Sequence, residues 1–171
     1  MIRFNCEKEK MRFLKAYDCY DNNARDSLAA VTHLMPISDF PAYPTTPDNA
    51  VIFATTGMDG AHYCMVEDGD KMNIYIVEPC GVVPDRVCLI GHSISEMLSY
   101  GLAIMPMLFS DVFDLEKDEF LKELKHARYE WMREINSKRF KDDLNALEKI
   151  YPIKEFSASE VYDILRAMNG R

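Results

Sequence analysis

The sequence has no run of 18 apolar residues, so no segment of it makes a transmembrane helix. It has no Cys-x-x-Cys or His-x-x-x-His pair, and its five cysteines follow no metal-site or disulfide-framework spacing. No metal and no cofactor are therefore expected. Lys and Arg number 20 against 28 Asp and Glu, for a formal net charge of −8. A chain this short of basic clusters does not suit nucleic acid, whose phosphates require them. It opens, in MIRFNCEKEKMRF, without the apolar stretch of a secretory signal. Unframed thiols and no signal lead to an expectation of reduced cysteines in a cytoplasmic protein.

What is present is ordinary globular material. The 171 residues are 48% hydrophobic and 28% charged, enough for one domain, 1–171, with its own core. The pattern changes period twice. Residues 1–35 read as helical, with Met11, Leu14 and Tyr17 at helical spacing and Asn23 placed to cap a second helix, ARDSLAAVTHL. Pro36, Pro41, Pro44 and Pro47 then give a connector that carries Phe40 and Tyr43.

Residues 50–91 read as sheet. NAVIFATT, GAHYCMVE, KMNIYIVE and DRVCLIG are short, rich in β-branched and aromatic residues, and separated by GMDG, DGDK and PCGVVP. The first two joints suit antiparallel hairpins. Helices return over 93–168. SISE and SASE are capping-box patterns, and Phe120, Leu121, Leu124, Ala127 and Trp131 repeat at a period near 3.6. The expected fold is α+β, a central antiparallel meander of four or more strands flanked by N-terminal and C-terminal helices.

The densest cluster of reactive side chains is FATTGMDGAHYCMV, residues 53–66. GMDG lies between two strand-like runs with no Lys-Ser/Thr behind it, so it is not a phosphate-binding loop. Neither Asp59 nor Asp68 begins a calcium loop. Alternation along the meander puts Ile52, Ala54, Tyr63, Met65, Ile74 and Ile76 on a core face. Val51, Phe53, Thr55, His62, Cys64, Asn73, Tyr75 and Val77 fall on the other, mixed face. The GMDG rim collects Thr55, Asp59, His62, Glu78, Cys80, Asp85 and Arg86, with His92 at the opposite rim. Candidate partner-binding residues are Thr55, Asp59, His62, Tyr75 and Arg86. The competing class is a small hydrolase using His62 with Glu78 or Cys64. A third is an oligomeric scaffold pairing through its long charged helix.

Residues 53–66, followed by IYIVEPCGVVPDRVCLIGHSISEML, resemble a group of uncharacterised small bacterial proteins with a Thr-Gly-x-Asp-Gly-x-His-aromatic step. More distantly they are similar to the SUKH superfamily. The resemblance covers about residues 50–100, with Gly57, Asp59, Gly60 and His62 its most specific positions. It implies helices around a central antiparallel sheet. It also implies a non-enzymatic interaction module, an immunity protein that neutralises a toxin. With the acidic balance, the expected partner is a protein, basic in character.

Overall fold

The computed structural model describes residues 5–18, 34–57, 59–79, 86–134 and 137–170. The first helix, α1, spans Cys6–Asp18. Asn5 opens it, its side chain accepting from the Lys8 amide at 3.1 Å. Its buried residues are Cys6, Phe13, Ala16 and Tyr17, whereas Met11 is exposed. The apolar stripe is therefore rotated from the Met11–Leu14–Tyr17 spacing, because Phe13 is drawn edge-on against Phe53 at 5.2 Å. The helix expected behind Asn23 lies in residues 19–33, outside the described residues.

Five strands follow in one antiparallel sheet, ordered as in the chain: β1 Met35–Pro36, β2 Val51–Thr55, β3 His62–Asp68, β4 Lys71–Glu78 and β5 Arg86–Gly91. The last four are the expected meander. The first is an addition: Met35 and Pro36, read as helix end and connector, pair with Thr55 and Ala54. Proline is tolerated there because an edge strand needs no outward amide.

The hairpin registers hold. Thr55 faces His62, His62 faces Val77, and Cys64 faces Tyr75. One pairing does not. Cys64 faces Ile52, not Phe53, because the register shifts between Ile52 and Ala54. The extra residue is Phe53, and such a bulge breaks strict alternation. Phe53 and Ala54 consequently both enter the main core, and Ile52 moves to the other side of the sheet. A second bulge in the β4–β5 pairing leaves Ile90 without an opposite number.

Helices cover the main-core face. They are α2 Ile94–Ile104, α3 Asp111–Asp114, α4 Lys117–Glu134, α5 Ser137–Glu148 and α6 Ala158–Met168. Tyr63, Met65, Ile74, Ile76, Cys88 and Ile90 from the strands meet Met97, Leu98, Val112, Phe120, Leu147, Val161 and Leu165. Ser93 and Ser157 cap α2 and α6 as the sequence leads one to expect. At α2 the Glu96 carboxylate accepts from the His92 amide. At α6 the box closes fully, with Ser157 donating its amide to Glu160 at 2.8 Å. Among the described residues no helix is long and apolar enough to cross a membrane.

Candidate functional site

The opposite sheet face is not open. Residues 37–50, the proline-rich connector, fold across it as a strap. Ile37, Phe40 and Ala50 pack on Ile52, Cys64, Tyr75 and Val77 as a second, smaller apolar cluster. The strap is anchored at its start by the Ile37 amide on the Phe53 carbonyl, 3.0 Å.

His62 is the hub beneath it, with 0% of its surface exposed. Tyr43 stacks on the imidazole at 5.8 Å and Phe40 leans on it at 5.3 Å. Nδ1 lies 2.9 Å from the Gly60 carbonyl, which can only accept, so Nδ1 carries the proton. Nε2 is then the acceptor, taking the Thr46 hydroxyl hydrogen at 3.0 Å. That hydroxyl accepts in turn from the Tyr43 amide at 2.9 Å. Both ring nitrogens are committed. Burial holds the imidazole below its ordinary pKa, opposed by the bond to Gly60.

The turn that delivers Gly60 is built by backbone chemistry. Gly57, Asp59 and Gly60 all have positive φ, at 80°, 47° and 75°. Thr55 shapes it, donating its hydroxyl to the Ala61 carbonyl at 2.8 Å and accepting from the Gly57 amide at 3.1 Å. Gly60 admits no side chain: a Cβ there would sit 2.6 Å from the Tyr43 hydroxyl. Asp59, by contrast, is exposed.

Arg86 lies on the helical side. Its Nε donates to Glu78 at 2.6 Å, and Nη1 and Nη2 grip Asp114 at 2.6 and 3.0 Å. Burial lowers the guanidinium pKa, but the bonds to Asp114 and Glu78 outweigh it and hold it above its usual value. The side chain is 12% exposed, with its donors turned to these carboxylates.

The five residues expected to meet a partner are therefore divided. Thr55, His62 and Tyr75 share the strap side, Asp59 projects from the turn, and Arg86 is on the far face. His62 is wholly buried and Tyr75 half-buried under the strap, which corrects their expected placement on an open surface. Of the five, Asp59 alone is exposed.

The hydrolase pairings do not assemble. His62 faces Val77, so the neighbouring Glu78 points through the sheet to the other side, where it holds Arg86. Cys64 shares a face with His62, but both ring nitrogens are spent elsewhere. Its thiol is buried, and burial pushes its pKa up to about 12, the reverse of an activated nucleophile. His92 bonds Asn73 at 2.8 Å, toward the opposite rim. Asn73 is four residues along β4 from Val77, or about 13 Å at ~3.3 Å per residue. Cys80 and Asp85 lie outside the described residues. Among the described residues no group of His, Cys, Asp and Glu could hold a metal ion.

Phe40, Tyr43 and Thr46 complete the hub, although their place in the sequence marks them only as connector. The trace they leave in the sequence is two aromatics and a hydroxyl at a spacing of three, Phe40, Tyr43 and Thr46, within the connector.

Compared with known protein families, curated proteins and solved structures, the chain gives no match.

Proposed function

We propose that this chain is a protein-interaction module without covalent chemistry, and that it docks a basic partner on the rim formed by the strap and the 56–60 turn. One observation carries this reading: every charged residue from 35 to 60 is acidic, and an exposed apolar side chain accompanies them. Asp39, Asp48 and Asp59 are exposed, each within two residues of a group that touches His62. Met35, 48% exposed, lies beside Gly57, where a Cβ would meet its sulfur. Exposed carboxylates together with an exposed, polarisable apolar side chain suit a Lys- or Arg-rich surface with a hydrophobic anchor. The resemblance of residues 50–100 to SUKH domains supports a toxin as that partner.

The test is affinity capture from the native cell with cross-linking to map the contact. A single basic protein cross-linked to residues 35–60 is expected. Its retention should fall at least tenfold with Asp59→Lys plus Asp48→Lys, and stay unchanged with Glu123→Lys on α4. A partner indifferent to the first pair, or cross-linked only to the helices, would remove the rim from consideration.

A further inference from the structure

Among the described residues, the groups that touch His62 are uncharged. From the strap it meets Phe40, the Tyr43 phenol ring and the Thr46 hydroxyl. From the turn it meets the Gly60 carbonyl, across the strands Thr55 and Val77, and on its own strand Cys64 follows on the same face. The carboxylates nearest in sequence, Asp39, Asp48 and Asp59, are exposed, and Glu78 is turned to the other side of the sheet. Among the described residues, no acid is therefore placed to balance a charge on the ring.

Protonation can occur only at Nε2, since Nδ1 already bears hydrogen. It would convert the acceptor of the Thr46 hydroxyl into a donor facing that same hydroxyl. The oxygen would then have to accept from both Nε2 and the Tyr43 amide while its own hydrogen lost its partner. The charge would also have to remain where no water reaches the ring. Lifting the strap relieves both problems at once.

We propose that His62 is a proton-operated latch: neutral, it holds strap 37–50 closed, and protonated, it lets the strap lift and expose the apolar sheet face of Ile52, Cys64 and Val77. The direction follows from linkage. The open form takes up a proton at an ordinary histidine pKa near 6.5, and the closed form resists it, in line with the lowered pKa of the buried ring. Closure is therefore complete above about pH 6.5 and weakens below it. Between pH 7.5 and 5.5 the open fraction should rise, by up to about tenfold when the closed form stays unprotonated throughout. The latch does not depend on the partner proposed above.

Hydrogen exchange on the full chain reads this directly, as protection relative to the intrinsic rate at each pH. The amides of Ile37, bonded across to the Phe53 carbonyl, and of Tyr43, bonded to the Thr46 hydroxyl that His62 holds, should lose protection from pH 7.5 to 5.5, by up to about tenfold. Those of Val161 and Leu165 in α6 should hold. In His62→Gln, which cannot charge, strap protection should not change over this range. In Thr46→Val the ring still titrates, so protection should be lower at pH 7.5 and still fall with acid. Flat strap protection in the native chain overturns the latch. So does a loss that α6 shares, or one that persists in His62→Gln. Should His62→Gln not fold, the imidazole proton resonance decides in its place: titration of the ring without matching loss of strap protection, in the native chain or Thr46→Val, overturns it.

Discussion

At the residue scale, the strap depends on what Gly60 lacks. Its φ of +75° is one that a side chain strains, and its missing Cβ leaves room for Tyr43. Gly69 at the next hairpin has φ +64° but open space around it. Gly69→Ala should therefore cost only backbone strain, about 1–2 kcal/mol. Gly60→Ala should cost clearly more, by roughly 1–3 kcal/mol beyond that, because the clash displaces the half-buried Tyr43 ring that stacks on His62. Urea midpoints of the two variants make the comparison, and equal losses would show that Tyr43 does not press on the turn. Cys64 gives a second residue-level expectation. With its thiol pushed up to about 12, labelling at pH 8 should run at least ~100-fold slower than for a free thiol. Rapid labelling of Cys64 would restore the nucleophile that the geometry removes.

At the scale of elements, much of the architecture was legible because local chemistry wrote it. The glycine turns fixed Thr55 opposite His62 and Cys64 opposite Tyr75, and Ser157 with Glu160 announced α6. The bulge at Phe53 was not legible. Residues 51–55, VIFAT, are apolar nearly throughout, so their pattern does not mark an extra residue, and it is a distant side chain, Phe13 from α1, that Phe53 turns to meet. The site was read less well for a related reason. Its cover comes from another part of the chain, and nothing within residues 51–69 reports that Phe40 and Tyr43 will lie on His62. Arg86 similarly finds Asp114 from 28 residues away. The edge of the sheet shows the same non-local closure. Asn169, just past α6, accepts from the Leu89 amide at 2.9 Å and donates to the Leu89 and Leu165 carbonyls at 2.9 and 2.8 Å. It occupies the place a sixth strand would take on β5. Asn169→Ala should cost about 1–3 kcal/mol, since it strands three half-buried backbone groups. The Leu89 amide should lose exchange protection in the same variant. Unchanged protection there would mean that the edge is guarded by something other than this side chain.

At the scale of the whole molecule, the excess of acidic groups sets how the protein meets others. A net charge of −8 and a sequence pI near 5.0 give a repulsive field between copies at neutral pH and an attractive one toward cations. That field extends about 30 Å at 0.01 M salt and about 8 Å at 0.15 M. Light scattering at pH 7.5 should accordingly show strong repulsion at 0.01 M salt that largely disappears by 0.15 M. Near pH 5.0, with the net charge gone, added salt should change little. The latch adds a distinguishable component there. If acid also lifts the strap, attraction between copies near pH 5.5 should be greater in the native chain than in His62→Gln, although their net charges in the closed state are the same. The difference isolates the contribution of the uncovered Ile52–Cys64–Val77 face from that of charge neutralisation. Two chains that associate equally at every pH would show that charge alone governs association, and that the sheet face stays covered throughout.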